Sequence, residues 1–448
     1  MLLALSAACV KDGLTPASEI PGTQQENGGR ENGSGSENGG GTEKEDDKPR
    51  VREGQMPSVR ITVDEYDYET LCWWDKDTYI DGTVTFEDPD GWYSDTTTLS
   101  VPLQMKGRGN TSWNNDKKPF RLKLGEKHRV LGMKANRDWV LIANYNDKSL
   151  LRNTLGYKVS KICGMDWTPK VRACDLYING EAQGSYLLVQ HKEVAGEKVD
   201  IDTAQDYYIE VETANNDGRY SSLKVPIIFK DPTLDEMGSS RATYIKGYLN
   251  DWGNAVYADD FAKAYKMMDT ASFVNFFIIE ELAKNIDGNF RKSTFLTKVK
   301  DGKLRVCNIW DFDIAFGNCN YMHTEFSPDS DGIYGNDPEG WYVKVVDERK
   351  KGSGLYQHLF KDPGFVAAVK ARWEEVYPEL AELPQWLEEE AAVNRASYDA
   401  NFKIWPILGS WVWPNPSPIP SDYDGELSFL RDFLSQRLAW MNSEISEW

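Results

Sequence analysis

Residues 285–296 read NIDGNFRKSTFL, and residues 309–321 read IWDFDIAFGNCNY. The run from Ser272 to Lys284, directly before the first stretch, carries apolar residues on nearly every face of a helix and predicts a helix buried in the core. The run from Leu304 to Trp310, which enters the second stretch, predicts a buried strand. Both stretches therefore begin where a rigid apolar element ends.

Three carboxylates stand at these element ends: Asp287, Asp311 and Asp313. Catalytic groups need such rigid supports. If the strand continues through Trp310, alternation puts Asp311 and Asp313 on one side, where both can face one cation. The alternative is that Asp287 caps a helix and that the WDFD carboxylates are turn residues.

A basic segment precedes these acidic stretches, reading KGRGNTSW over 106–113 and KKPFRLKL over 117–124. Phosphoryl transfer needs cations to screen phosphates and carboxylates to hold a metal and orient a hydroxyl, so both halves of that chemistry are present. On a strand, Lys118 takes the apolar side with Phe120 and Leu122, where it needs an anionic partner. A nucleotide phosphate or a structural carboxylate would serve equally.

Further out, strand-like runs with turn signals extend from Val59 to about Leu187, interrupted by a helix at Ser149 to Ile162. Helical segments follow, one opened by Asp362 and Pro363 and a last one from Leu427 to Met441. The order predicts an α+β fold with a β-rich lobe over about 56–215 and an α-rich lobe over about 216–448. The aromatic, proline-rich loop of residues 405–420 either docks a peptide or sugar or packs as a lid.

The N-terminus reads MLLALSAAC, an apolar run that ends in small residues before Cys9. This is typical of a bacterial lipoprotein signal and predicts a membrane anchor by lipid at Cys9, in the cell envelope outside the cytoplasm. A chance cysteine after an apolar start is the alternative. Residues 10–55 are rich in Gly, Asn, Ser and Glu, which predicts a flexible linker or a leader without a role.

Composition excludes several function classes. The net charge of −20 argues against a nucleic-acid partner. With four scattered histidines, a serine or cysteine hydrolase is disfavoured because it would need one as its base. No C-x-x-C pair indicates structural zinc. The sequence-near candidates for disulfides are Cys163 with Cys174 and Cys307 with Cys319.

Eight ordered blocks between Met56 and the C-terminus carry a family resemblance: RGNTSW, KKPFRLKL, LLRNTLGYKV, LYINGEAQGSYLL, NIDGNFRKSTFL, WDFDIAFGN, DPGFVAAVKARW and FLSQRLAWMNSEI. In this order they resemble the characteristic blocks of the CotH kinase family, the relatives of spore coat protein H. The resemblance implies an atypical kinase-like two-lobed fold that binds ATP with Mg²⁺ or Mn²⁺. It also implies phosphorylation of serine or threonine in a protein substrate.

The resemblance assigns roles to particular residues. Asp287 matches the catalytic aspartate, Asp311 the metal-binding aspartate of the WD motif, and Lys118 the lysine that contacts phosphate. Asp313 and Asn289 are further candidates for the metal. The other candidate nucleotide-binding residues are Arg108, Lys117, Arg152 and Asn153, which lie in matching blocks, and Lys106 of the basic segment.

Two departures from the family pattern leave other functions open. Gln190 stands where many relatives have a glutamate, so an ion pair that orients the lysine would need Glu193 or Glu210. For the second metal ligand, Asn289 and Ser293 are imperfect substitutes. A non-catalytic surface binding or assembly lipoprotein, with carbohydrate as a candidate ligand, is therefore an alternative, and a glycosidase that uses Asp287 and Asp311 is a third.

Overall fold

The computed structural model describes residues 55–212, 219–220, 223–320, 335–344 and 353–448. The chain divides into two units, Met1–Gly39 and Gly40–Trp448, and all described residues belong to the second. The predicted lipoprotein signal at Cys9 and the predicted linker, up to residue 54, lie outside the described residues. Across the described part of the chain, no helix is both long enough and apolar enough to cross a membrane.

A closed barrel forms the N-terminal part, with its strands in the order β1-β2-β3-β4-β5-β7-β6. Alternating apolar side chains build the barrel core. In β1, Val59, Ile61 and Val63 are buried, in agreement with the strand-like run that begins at Val59 in the sequence. A parallel pairing of β1 with β6 closes the barrel, so that neither strand is left with an unpaired edge there. The barrel strands are β1 (Ser58–Val63), β2 (Ile80–Glu87), β3 (Thr98–Gly107), β4 (Phe120–Val130), β5 (Met133–Ile142), β6 (Val171–Ile178) and β7 (Glu181–Gln190).

A five-stranded sheet follows, in the order β12-β11-β8-β10-β9. Every residue of its central strand β8 is buried, and β10 and β11 pair with β8 on either side. Its strands come from both sides of residue 215, so the sheet joins the two halves of the predicted arrangement. They are β8 (Tyr207–Val211), β9 (Arg219–Tyr220), β10 (Val225–Asp231), β11 (Thr294–Lys298) and β12 (Leu304–Asn308).

Helices dominate the C-terminal part. The predicted buried helix is α5, which Asp269 caps by accepting from the Ser272 amide and which ends at Lys284 in left-handed backbone. The helices are α1 (Glu65–Trp73), α2 (Arg152–Ile162), α3 (Ser239–Tyr257), α4 (Phe261–Met267), α5 (Thr270–Ala283), α6 (Leu355–Leu359), α7 (Pro363–Leu380), α8 (Leu383–Ile404) and α9 (Tyr423–Ser446). Short 3₁₀ turns lie at Thr111–Asn114 and Tyr342–Lys344.

The predicted α+β class is confirmed, with strands concentrated in the N-terminal region and helices in the C-terminal region. Three details differ from the prediction. β12 ends at Asn308, so Asp311 and Asp313 lie in a turn and not on a continued strand. β4 begins at Phe120, so Lys118 precedes the strand. The candidate disulfides do not form, since Cys163, Cys174, Cys307 and Cys319 are buried free thiols.

Candidate active site

A cleft of about 510 Å³ opens where the barrel meets the five-stranded sheet. The end of β3, the end of β5 and the centre of β8 supply its walls through Lys106, Ile142 and Glu210. The loops after α5 and after β12 contribute Asp287 and Asp311. The two acidic stretches of the sequence and part of its basic segment therefore reach one cavity.

The loop after α5 brings Asp287 into the cleft. Its carboxylate forms ion pairs with the guanidinium of Arg291 and, at 3.6 Å, with the ammonium of Lys292. The side-chain amide of Asn285 donates to the Asp311 backbone carbonyl at 3.2 Å, which ties this loop to the WDFD turn. The spacing between the two acidic loops is thus fixed by a direct hydrogen bond.

The WDFD turn presents both of its carboxylates to the cleft. The Phe312 amide between them donates to Asn153 Oδ1 at 3.0 Å, so Asn153 holds the turn from α2. Ser293, from the loop after α5, donates its hydroxyl to Asp311 Oδ2 at 3.2 Å. Burial, reinforced by the Asp311 and Asp287 carboxylates, raises the pKa of Asp313 to about 7. A buried carboxyl group whose ionisation is opposed by two neighbouring carboxylates favours a bound cation.

Cations line the other side of the cleft. The Arg108 guanidinium lies 4.0 Å from Asp311 Oδ1 and 5.7 Å from the Trp310 ring centre. Lys192 reaches Glu210 at 2.8 Å and lies over the Phe295 ring. Burial opposes ionisation of Glu210, but Lys192 and a second lysine lower its pKa overall. The other cationic side chains of the lining are Lys76, Lys106, Arg121 and Lys292.

The structure does not bring Lys118 or Lys117 to the cleft. The chain folds back after the 3₁₀ turn at Thr111–Asn114, so the Lys118 ammonium donates to the Trp113 carbonyl at 2.8 Å. Lys117 is fully enclosed and donates to Asn401 Oδ1 at 2.8 Å and to a β7 carbonyl. Burial lowers the pKa of Lys117 to about 7. Both lysines bind the protein's own oxygens.

Of the remaining predicted residues, Asn153 lines the cleft while Arg152 and Asn289 do not. Arg152 is buried in an ion pair with Asp147 at 2.6 Å and donates to the Ala315 carbonyl at 3.2 Å, which supports the chain just after the WDFD turn. Asn289 is buried, and its amide has no hydrogen-bond partner among the described residues. Ser293, not Asn289, meets the carboxylates.

The question raised by Gln190 has a structural answer. Gln190 accepts from the Lys170 amide at 3.1 Å, and Glu193 pairs with Lys198 at 2.6 Å. Of the two glutamates considered from the sequence, Glu210 is the one that pairs with a lysine of the cleft lining, Lys192. Sequence reasoning missed Lys192 as its partner, although a lone carboxylate in the apolar strand YYIEV signals a buried charge that needs a cation.

The donor set fits a hard cation that also binds phosphate. Within the described residues, no group of three or more His, Cys, Asp or Glu is arranged to hold a metal alone. Magnesium commonly uses one or two carboxylates together with substrate phosphates, so Asp311 and Asp313 with the Ser293 hydroxyl suffice on the protein side. At the rim, Trp413 of the aromatic loop contributes a 40% exposed side chain to the lining.

Comparison with known protein families identifies a match. The sequence profile of a family described as CotH kinase protein matches residues 105–441, which is most of the chain. No curated protein sequence matches significantly. The matched range contains every cleft residue named above except Lys76.

Proposed function

The chain belongs to the CotH kinase family, a family of kinase-like proteins, and from this premise we propose a metal-dependent protein kinase. It transfers the γ-phosphate of ATP to serine or threonine hydroxyls of a protein outside the cytoplasm. One observation carries the proposal: the carboxylates of Asp287, Asp311 and Asp313 meet Arg108 and the Lys192–Glu210 pair in a single cleft.

In this proposal the carboxylates divide the work. Asp311 and Asp313, with the Ser293 hydroxyl, would hold Mg²⁺ or Mn²⁺, which would supply positive charge to screen the phosphates. Asp287 orients the acceptor hydroxyl and takes its proton while the hydroxyl oxygen bonds to the γ-phosphorus. The bond from the γ-phosphorus to the bridging oxygen breaks, and ADP leaves.

The cations bind and position the triphosphate. Lys192 is held by Glu210 at 2.8 Å, so its ammonium is already oriented, as the lysine of a kinase must be. Lys106 and Arg108 extend the positive wall from β3, and Arg108 also approaches Asp311. The proposed sites for phosphate, metal and acceptor hydroxyl thus lie in one cleft.

The setting outside the cytoplasm rests on the sequence alone. The lipoprotein-like N-terminus supports a lipid anchor at Cys9 and a place in the cell envelope. The acidic chain disfavours nucleic acid as a partner.

Transfer of γ-phosphate from labelled ATP, to the protein itself or to a test protein, checks the proposal. With Mg²⁺ or Mn²⁺ present, we expect Asp287→Asn and Asp311→Asn each to lower the rate by a factor on the order of 10² or more, because each removes a group that acts on the reacting atoms. Asp166→Asn is the control, since Asp166 pairs with Arg305 outside the cleft. Unchanged transfer in both cleft variants would refute the proposal.

One observation favours a second candidate, a binding lipoprotein without catalysis. Trp411 and Trp413 are 57% and 40% exposed, and the second of them lines the cleft. Exposed aromatic rings at a cleft suit sugars as well as peptides. Such a protein would bind glycan without transferring phosphate.

A further inference from the structure

The short segment of residues 335–344 is fastened to the C-terminal end of α5 by buried charged side chains. Glu281 and Lys284 come from the end of that helix, and Arg437 comes from α9. All three are buried, with side chains that are inaccessible or nearly so. Burying a charged side chain is costly unless hydrogen bonds satisfy it. The three side chains therefore need the segment to stay in the position where it supplies those hydrogen bonds.

The hydrogen bonds that these three side chains make with the segment all go to its backbone atoms. Lys284 donates to the carbonyls of Asp337 and Glu339, both at 2.6 Å. Arg437 donates to two further carbonyls, at 2.9 and 2.8 Å, and pairs with Glu281 at 2.9 Å. Since these contacts need no particular side chain on the segment, they fix its path relative to α5.

Tyr342 connects this segment to the loop after α5, which contains Asp287. Its amide donates to Glu281 Oε2 at 3.0 Å, and its phenolic hydroxyl donates to the Ile286 carbonyl at 2.7 Å. Ile286 directly precedes Asp287, and the Tyr342 side chain is fully buried. The residue therefore spans from the end of α5 to the peptide unit that enters the catalytic aspartate.

The loop after α5 needs such a support. Lys284, Asn289 and Phe290 hold left-handed backbone, at φ of 44°, 55° and 58°. Non-glycine residues in this region persist only where surrounding contacts compensate for the strain. A loop with this much strain would relax, and shift Asp287, if an anchor of its backbone were lost.

We infer that Tyr342 is a positioning residue that holds Asp287 through the Ile286 carbonyl, and that residues 335–344 form the element that presents it. The catalytic consequence rests on the proposed kinase function, while the structural consequence does not. Tyr342 does not line the cleft, so any effect it has on the rate should come through Asp287.

The test compares Tyr342→Phe with Tyr356→Phe. Tyr356 is a matched control: it is also fully buried, and its hydroxyl donates to the Phe273 carbonyl at 2.8 Å near the start of α5, far along the helix from Asp287. Each substitution removes one hydroxyl and keeps the ring. We expect similar small losses in thermal stability from both.

Only Tyr342→Phe should change the site. We expect its kcat to fall on the order of tenfold, with KM for ATP within about twofold of wild type, because misplacing a catalytic group lowers the rate more than binding. Amide hydrogen exchange over residues 285–292, followed by mass spectrometry, should become faster in Tyr342→Phe than in Tyr356→Phe.

The outcomes separate this inference from the proposed function. Equal exchange of residues 285–292 in the two variants, or an equal effect on kcat, overturns the role of Tyr342. If the wild-type protein transfers no phosphate, the kinase proposal fails, and the exchange measurement still decides whether Tyr342 holds the loop.

Discussion

Several residues that line the cleft have strained backbone. Asn144, Ser293 and Asp311 have φ of 50°, 47° and 60°. Such conformations cost roughly 1–3 kcal/mol each for residues other than glycine. The Ser293 hydroxyl bonds Asp311, and the Asp311 carbonyl accepts from Asn285, so these contacts offset part of the strain. Local stability is given up here to aim polar groups at one space.

The lysine that contacts phosphate can be identified by substitution. We expect Lys192→Met to lower kcat/KM for ATP on the order of 10²-fold, because it removes an oriented ammonium and takes away one of the lysines that pair with Glu210. Lys118→Met should stay close to wild type, because the Lys118 ammonium binds the Trp113 carbonyl outside the cleft. Steady-state kinetics of phosphate transfer measure both. A larger loss in Lys118→Met than in Lys192→Met would restore the role that the family resemblance assigns to Lys118.

Lys117 predicts a pH dependence of stability. Burial lowers its pKa in the folded protein to about 7, whereas the unfolded chain keeps this proton until about pH 10.4. Between these values the unfolded state binds more protons, so the free energy of unfolding rises with pH, by up to about 1.4 kcal/mol per pH unit and proton. Lys284, whose pKa burial also lowers to about 7, adds to this slope.

In Lys117→Met the slope between pH 7 and 9 should therefore be smaller, by up to about 1.4 kcal/mol per pH unit. Urea unfolding at three pH values in this range measures it. An unchanged slope would show that Lys117 does not titrate in this window.

At the scale of elements, α2 is pressed against the WDFD turn. A Cβ on Gly156 would lie 2.5 Å from the ring of Phe312, closer than real Cβ atoms come to a neighbour. The helix therefore needs glycine at this point, and the Phe312 ring fixes the turn between Asp311 and Asp313. Packing and site geometry are coupled through this one contact.

Two alanine substitutions, one at this contact and one away from it, should change the free energy of unfolding in opposite directions. Gly156→Ala should lower the free energy of unfolding by about 1–3 kcal/mol, because the overpacking outweighs the better helix propensity. Gly247→Ala in α3, where a Cβ would meet nothing within 4 Å, should raise it by about 0.5–1 kcal/mol. Chemical denaturation measures both. Stabilisation by Gly156→Ala would mean that Phe312 moves freely and does not fix the turn.

The elements show what local sequence can and cannot predict. Apolar periodicity predicts α5, and the Asp362–Pro363 start predicts α7, because both signals are local. Pairing between distant strands leaves no local signal, so the five-stranded sheet and the early end of β12 are not predicted. α8 has no counterpart among the predicted elements.

The same reasoning applies to the site. Asp287, Asp311 and Asp313 are predicted because each directly follows a buried element. The pairing of Lys192 with Glu210 depends on how the chain after β7 passes β8, which the spacing of the two residues does not reveal.

At the scale of the whole molecule, charge is distributed unevenly. The chain carries a net charge of −20, yet several lysines and arginines face one cleft. An acidic surface repels extended polyanions, whereas the lysines and arginines of the cleft, which carboxylates of the same lining balance, can contact a small anion such as a triphosphate. The distribution favours a compact phosphate ligand over a nucleic acid.

Nucleotide binding should therefore stabilise the whole fold. At about 100 times its Kd, ATP with Mg²⁺ adds about 2.7 kcal/mol to the free energy of unfolding, which raises Tm by a few degrees. Asp311→Asn should lose the part of this shift that depends on Mg²⁺, whereas Asp166→Asn, altered outside the cleft, should keep it. Thermal-shift measurements against ATP with and without Mg²⁺, and against a panel of glycans, compare the two candidate functions directly. A shift by glycan and none by ATP would favour the binding lipoprotein. A cleft that binds a triphosphate must gain stability when the phosphates neutralise its lysines and arginines.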